Sequence, residues 1–290
     1  MHILSVDQFT KGDIEEYCSR ADFHSQFSSV TAQGKILANL FYEPSTRTSS
    51  SFYSAMVRLG GHVIPINNVA FSSVAKGESL EDTIRTMQCY ADVIVLRHKE
   101  MGAAARAARV SEVPIINAGD GIGEHPTQAL LDFYTIRKEV GVSHGLWVVL
   151  MGDLKHGRTV KSLAKLLRLY DVRISWVSPP ELRVPAEFVH PGEIETDDLP
   201  MVLPYADVLY VTRVQRERMD ALVDCSYVIT EADMQIAKPT MALLHPLPRV
   251  GEISTAVDND PRAAYFRQMR YGLFMRMGIL TKVLEVPHHL

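Results

Sequence analysis

Ser45, Thr46, Arg47 and Thr48 put three hydroxyls and one guanidinium into four consecutive residues. Such donors suit a phosphate, because each hydroxyl donates one hydrogen bond and the guanidinium fork adds charge-assisted pairs. Lys35 to Phe41 (KILANLF), just before them, is a short apolar run of the kind that makes a buried strand. After them Phe52, Ala55, Met56 and Leu59 recur at i, i+3, i+4 and i+7, one face of a helix that Gly60-Gly61 stops. The cluster therefore sits where a strand turns into a helix. Free backbone N–H groups and the positive end of the helix dipole favour an anion there. Ser-Thr clusters also serve as ordinary N-caps beside a solvated Arg. Pro44 and the strand–helix context favour the anion site.

The same arrangement recurs. Asp92 to Leu96 (DVIVL) reads as a strand that delivers Arg97-His98 at its C-terminal end. Pro114 to Asn117 is another, feeding a loop in which Gly119, Gly121 and Gly123 would let backbone approach a ligand. These glycines do not match the GxGxxG dinucleotide fingerprint. His125 and Gln128 open a helix with the stripe Ala129, Phe133, Ile136 and Val140, ended by Gly141. A lone His at such a place is most often a cap or a polar surface residue; Gln128 one turn on favours a ligand contact. Leu146 to Met151 (LWVVLM) is a buried strand followed by Gly152-Asp153-Leu154-Lys155-His156-Gly157-Arg158-Thr159. That stretch is one residue from a phosphate-binding P-loop, with Arg158 where Lys is required. Val160, Leu163, Ala164 and Leu167 face inward on the next helix. Arg173 to Val177 is a strand; Asp207 to Thr212 is another, ending in Arg213-Val214-Gln215. Thr240 to Leu244 ends at His245-Pro246-Leu247-Pro248-Arg249, where two prolines fix an extended, exposed turn.

The remaining stretches carry less chemistry. Gln8 to Tyr17 reads as a short helix with Thr10 as its cap, and His62 to Ile66 as a strand. Asn67 to Gly77 is a polar loop carrying Ser72, Ser73 and Lys76. Ser79 and Asp82 form a capping-box pattern ahead of the stripe Leu80, Ile84, Met87 and Ala91. Ser178 to Asp198 is Pro-rich and acidic and reads as loop; Asp260 to Leu284 is the closing helical region, with Leu273, Met277, Leu280 and Leu284 on one face. Strands alternate with helices in both halves, and the pattern restarts near Gly141. This predicts an α/β fold of two domains, each a mostly parallel sheet flanked by helices. Six polar clusters follow strands: 45–48, 97, 125–128, 158, 213–215 and 245–248. Ligands of open α/β sheets bind at the carboxyl ends of strands, so six clusters from two halves predict an active-site cleft between the domains.

Composition narrows the function. At 290 residues, 47% hydrophobic and 22% charged, the chain has globular values and suits two domains. No apolar run reaches membrane-spanning length, and Met1-His2-Ile3-Leu4 does not open a signal peptide. Cys18, Cys89 and Cys225 are odd in number and unpatterned, which fits a reducing, cytoplasmic compartment and no zinc site. A net charge of −4 makes nucleic acid an unexpected partner. The inventory is Arg47, Arg97, Arg158, Arg213 and Lys76 with hydroxyls, His125 and two Gln, without a Ser-His-Asp arrangement, metal cluster or paired carboxylate. Such a set holds anions and stabilises developing negative charge. A substrate that carries its own phosphate leaving group needs no protein nucleophile, only alignment and donors at its carbonyl oxygen.

These residues carry a resemblance. Ser45-Thr46-Arg47-Thr48, Lys76-Gly77-Glu78, Leu96-Arg97-His98, His125-Pro126-Thr127-Gln128, Gly152 to Thr159, Thr212-Arg213-Val214-Gln215 and His245-Pro246-Leu247-Pro248 resemble, in order, the motifs of aspartate carbamoyltransferases. From Phe41 onward the chain is most similar to the aspartate carbamoyltransferase domain of the animal multifunctional pyrimidine protein. It departs from the family in a short first helical region before Gln33 and a short segment around Pro185 to Pro200, both outside the motifs. The resemblance implies transfer of the carbamoyl group of carbamoyl phosphate to L-aspartate in pyrimidine synthesis, with no cofactor. It implies a carbamoyl phosphate domain of residues 1–138 plus 270–290 and an aspartate domain of residues 139–269. Ser45, Thr46, Arg47, Thr48 and Arg97 would bind the phosphate, Arg47 also neutralising the charge on the leaving oxygen. Thr48, Arg97 and His125 would donate to the carbamoyl oxygen. Gln128 and the carbonyls of Pro246 and Leu247 would orient the carbamoyl amide and the attacking amine. Arg158, Arg213 and Gln215 would hold the carboxylates of aspartate. Ser72 and Lys76 would come from the neighbouring subunit of a homotrimer with shared sites, and other pyrimidine-pathway domains or regulatory chains would be further partners.

Three rivals remain in view. An ornithine carbamoyltransferase would carry a Cys in the stretch where this chain has His245-Pro246-Leu247-Pro248, and Arg158 and Arg213 repel a diamine. A P-loop nucleotide binder lacks its Lys. A catalytically silent scaffold does not need every expected position filled.

Overall fold

The computed structural model describes residues 1–28, 30–67, 73–141, 145–215 and 227–285. The chain divides into two compact units, residues 1–131 with 270–290, and residues 132–269.

The first unit holds α1 (Lys11–Gln26), β1 (Ile36–Phe41), α2 (Thr46–Arg58), β2 (His62–Ile66), α3 (Leu80–Met87), β3 (Val93–His98), α4 (Ala103–Val110), β4 (Ile115–Asp120) and the start of α5 (Pro126–Glu139). Its strands form a parallel sheet in the order β2-β1-β3-β4. Leu37, Ala38 and Leu40 of β1 and Val93 to Leu96 of β3 are buried in unbroken runs, as expected of parallel strands covered on both faces. The ladder reaches Phe41 opposite Arg97 and His98 opposite Asp120. Arg97 and His98 therefore lie within β3 rather than after it, and β4 continues past Asn117, because the neighbouring strands still offer backbone partners there. Helix α1 is longer and starts later than its sequence pattern suggested. Thr10 caps it, accepting from Asp13 N–H at 3.2 Å while Asp13 accepts from Thr10 N–H at 3.0 Å. Buried Ile14, Tyr17, Cys18, Ala21 and His24 carry its inner face well beyond Tyr17. Phe52, Ala55, Met56 and Leu59 are all buried, and the three large side chains among them contribute roughly 1.5–3 kcal/mol each.

The second unit holds the rest of α5, then β5 (Leu146–Met151), α6 (Arg158–Leu167), β6 (Val172–Val177), β7 (Ile194–Thr196), α7 (Leu199–Val202), β8 (Val208–Val211), α8 (Glu231–Ile236), β9 (Ala242–Leu244) and the first turns of α9 (Tyr265–Val283). Its sheet is parallel in the order β7-β6-β5-β8-β9. Strand β7 falls in the stretch read as loop. It spans three residues on an edge, too short to show a period. Glu193 anchors its approach by accepting from Trp176 Nε1 at 2.7 Å and from Arg168 at 2.8 and 2.9 Å. The short helices α7 and α8, and α4 in the first unit, left no periodic signal long enough to read. Helix α9 begins at Tyr265 and not at Asp260, because Ala263 bridges to Leu243 and Ala264 N–H donates to Leu243 O at 2.9 Å, which holds the preceding residues against β9. No helix among the described residues is long and apolar enough to cross a membrane.

Candidate active site

Because both sheets are parallel, every strand in each delivers its following residues to one edge. In the first sheet, β1, β3 and β4 are neighbours, so their ends carry Ser45 to Thr48, Arg97, and His125 with Gln128 to the same edge. Ser45 occupies the N-cap position of α2 with φ −156° and ψ 96°, yet its side chain makes no capping bond. Thr10 and Ser79 do cap their helices, so an ordinary N-cap does not account for this cluster. Helix α2 also has no acidic residue in its first turn, where Arg47 lies exposed. A cation at the positive end of a helix gains nothing from the dipole; the two fields add to attract an anion. Thr48 is buried, and beneath it Asn39 Nδ2 donates to Ser49 Oγ at 3.1 Å, which donates to Asn67 Oδ1 at 2.7 Å. This braces the helix start from below.

Arg97 is largely buried and pairs with Glu43 at 2.9 Å. Next to it, His98 is buried, and burial draws its pKa down, so its imidazole adds no charge. Its Nδ1 accepts from Glu100 N–H at 3.0 Å. His125 precedes α5 with only 3% of its surface exposed, and its Nδ1 lies 3.3 Å from Thr127 Oγ1. Gln128, also buried, stands one turn on. The loop before them is held by Asp120, which accepts from Glu124 N–H at 3.1 Å and from Gly102 N–H at 2.9 Å.

In the second sheet, β5, β8 and β9 are neighbours and bring Arg158, Arg213 with Gln215, and Pro246 with Leu247 to one edge. Arg158 is the first residue of α6, 6% exposed, again with no acid in the first turn. A guanidinium at a positive helix end adds its field to that of the dipole, as at Arg47, and the two favour an anion there. Asp153 ties two of the loops together: it accepts from His156 N–H at 3.0 Å and from Gln215 N–H at 3.0 Å. Thr212 N–H donates to Met151 O at 2.8 Å, and Tyr227 Oη donates to Thr212 O at 2.5 Å.

Two of these glycines, Gly121 and Gly152, are demanded by the protein's own packing. A Cβ on Gly121, at φ +54°, would stand 2.8 Å from Lys99 O. One on Gly152, at φ +121°, would stand 2.6 Å from Thr212 Oγ1 and closer still to Thr212 O. Packing thus requires a glycine at 121 in its own right. In the P-loop-like stretch Gly152 is required by the end of β8, whereas a Cβ on Gly157 would stand 2.5 Å from Asp153 O in the same loop.

Residues 1–138 match the family model for the aspartate/ornithine carbamoyltransferase carbamoyl-P binding domain, and residues 144–283 match that for the Asp/Orn binding domain. This chain belongs to the aspartate/ornithine carbamoyltransferase family. Within it, the chain is 48% identical over 301 residues to the aspartate carbamoyltransferase catalytic subunit of Methanothrix thermoacetophila, covering 98% of each. It is 49% identical over 299 residues to the multifunctional protein CAD of Squalus acanthias, covering 98% of this chain and 13% of that protein. The chain thus spans about an eighth of the multifunctional relatives and nearly all of the catalytic subunits. Aspartate transcarbamoylase from Trypanosoma cruzi, solved with N-(phosphonacetyl)-L-aspartic acid, superposes with a TM-score of 0.91 at 46% identity over 96% of this chain and 94% of that one. The same enzyme with carbamoyl phosphate and aspartate gives 0.90 at 44% identity over 96% and 95%.

In this family member, Ser45, Thr46, Arg47, Thr48, Arg97, His125 and Gln128 share the first edge, and Arg158, Arg213, Gln215, Pro246 and Leu247 the second. Lys76 ends a 3-10 turn, Ser73–Lys76, and is exposed. Ser72 lies outside the described residues. Sequence reasoning passed over Glu43, Asp153 and Glu252. Each is an acid within or beside a quoted motif, and acids flanking basic clusters read as solvated surface until their buried partners are known. No group of His, Cys, Asp or Glu among the described residues could hold a metal ion.

Proposed function

We propose that this chain is an aspartate carbamoyltransferase, moving the carbamoyl group of carbamoyl phosphate to L-aspartate in de novo pyrimidine synthesis. The observation that carries the reading is the pair of basic helix starts, one per sheet: Arg47 beside an N-cap Ser45 that does not cap, and buried Arg158. Two anionic substrates need two such sites. The names of the relatives and the ligands of the Trypanosoma cruzi structures support the same pair of substrates. Ser45, Thr46, Arg47, Thr48 and Arg97 bind the phosphate. Thr48, Arg97 and His125 donate to the carbamoyl oxygen as negative charge grows on it. Arg158, Arg213 and Gln215 hold the aspartate carboxylates, and Gln128 with the Pro246 and Leu247 carbonyls orients the amide and amine. The amine nitrogen attacks the carbonyl carbon and a tetrahedral intermediate forms. The C–O bond to phosphate then breaks, and the departing phosphate takes the amine proton. His125 is an electrophilic donor in this scheme, not a base. Residues 1–138 with 270–290 serve carbamoyl phosphate and residues 139–269 serve aspartate.

Phosphate release from carbamoyl phosphate, measured with a panel of amino acids, tests this. Turnover with aspartate and not with ornithine is expected; turnover with ornithine, or none with aspartate, refutes it. We further propose a cytoplasmic homotrimer in which Ser72 and Lys76 complete the neighbour's site, joined in the cell to other pyrimidine-pathway domains or regulatory chains. The exposed turn that carries Lys76 and the three unpatterned cysteines support this. A heterologous interface repeated around a three-fold axis closes such a ring. Mixing inactive Arg47→Ala and Lys76→Ala subunits should restore activity in mixed trimers. Well-formed mixed trimers without activity would return Lys76 to its own subunit's site.

A further inference from the structure

A chain of buried polar side chains stands behind the turn after β9. His245 and Gln268 are fully buried, and Glu252 nearly so. Leu247 N–H donates to His245 Nδ1 at 2.8 Å, so that nitrogen is an acceptor. The ring hydrogen then sits on Nε2, which lies 2.6 Å from Glu252 Oε1 and donates to it. The other oxygen of Glu252 accepts from Val250 N–H at 2.9 Å. Burial alone would push the Glu252 carboxyl upward. The hydrogen bonds from His245 and from the backbone outweigh it and hold the group below its ordinary range. His245 N–H donates to Gln268 Oε1 at 3.0 Å, Gln268 Nε2 to Asp132 Oδ1 at 2.6 Å, and Tyr210 Oη to Asp132 Oδ2 at 2.7 Å. The relay joins α5, β8, α9 and the turn after β9 within one unit.

Buried polar groups are costly unless each is satisfied, and an apolar cluster of the same shape would hold these elements as well. What the relay adds is orientation. Leu247 has φ +55°, a left-handed conformation that a branched side chain resists. Its N–H and the Pro246 carbonyl belong to one planar trans peptide and point in opposite directions. Pinning the N–H on His245 therefore turns the Pro246 carbonyl to the opposite side.

We propose that His245, steadied by Glu252 and Gln268, is a positioning residue that aims the Pro246 carbonyl at the substrate. The inference rests on the carbamoyl-transfer reading above. Two variants separate the two faces of the ring. His245→Asn can place its amide oxygen where Nδ1 stands, keeping an acceptor for Leu247 N–H and losing Glu252. His245→Gln can place its amide nitrogen where Nε2 stands, keeping Glu252 and leaving Leu247 N–H without its acceptor. A purely structural role predicts parallel losses of thermal stability and activity. Positioning predicts similar thermal midpoints but kcat in His245→Gln lower by about 10²-fold, as for a misaligned reacting group, with His245→Asn much closer to wild type. The Leu247 amide proton, shifted downfield by its bond to the imidazole, should move in His245→Gln and be largely kept in His245→Asn. Glu252→Gln, which must turn an NH2 group toward either Val250 N–H or His245 Nε2–H, covers the case in which a His245 variant does not fold. Like His245→Asn it loses only the steadying of the ring, so it should lower kcat several-fold, far less than His245→Gln, while aspartate KM changes little. Equal kcat in the two His245 variants, or wild-type kcat in His245→Gln or in folded Glu252→Gln, overturns the proposal. Failure of the reading itself shows differently: wild type then releases no phosphate with aspartate, and the positioning role falls with it.

Discussion

Gly152→Ala puts one methyl group into a crowded contact between the ends of β5 and β8. The new Cβ would lie 2.6 Å from Thr212 Oγ1 and closer to Thr212 O and Tyr227 Oη. Real contacts keep Cβ beyond about 3.0 Å, so the β8 end must retreat. Three costs combine: roughly 1–3 kcal/mol for Ala at φ +121°, roughly 1–3 kcal/mol for overpacking, and about 1 kcal/mol for the Tyr227–Thr212 hydrogen bond. The total, roughly 3–7 kcal/mol, corresponds to a fall in melting temperature on the order of 10 °C for a chain of this size. The displaced segment runs directly into Arg213 and Gln215, the latter tied to Asp153 at 3.0 Å. Aspartate KM should therefore rise more than carbamoyl phosphate KM in the fraction that remains folded. Differential scanning calorimetry and initial-rate kinetics check both parts. A variant that melts with the wild type and keeps its aspartate KM would show that the loops can separate without cost, and the crowding argument would fail.

Arg47→Ala should lower kcat and kcat/KM together, by about 10²–10³-fold, because its charge matters most as the leaving oxygen becomes negative. Steady-state kinetics showing only a raised KM would contradict that role. Arg213→Ala should weaken aspartate by roughly 2–5 kcal/mol and leave carbamoyl phosphate binding little changed; calorimetric titration of each ligand decides it. Asp258 accepts from Arg249 and Tyr265, whose hydrogen bonds hold its pKa down to about 2 from an ordinary 3.8. Its contribution is therefore present above about pH 4 and is lost as pH falls toward 2. Asp258→Asn should lower the urea midpoint near neutrality, and the gap from wild type should narrow below pH 4; a gap that stays constant down to pH 3 would refute the linkage.

The sequence by itself determined the strand-to-helix junctions and what stands at them. Apolar runs such as KILANLF and LWVVLM, each followed by hydroxyls or Arg, are local patterns, and a buried parallel strand needs little more than such a run. The family's motifs are short and contiguous for the same reason. Tertiary structure decided which junctions become neighbours. Placing β1 between β2 and β3, and β5 between β6 and β8, brings the donors of each unit to one edge. It also decided what the glycines are for, since the crowding at Gly152 comes from Thr212 and Tyr227, far along the chain. The relay behind Leu247 was illegible for the plainest reason. Asp132 and Gln268 are 136 residues apart, and no local period records a hydrogen bond made only when α5 and α9 pack into the same core.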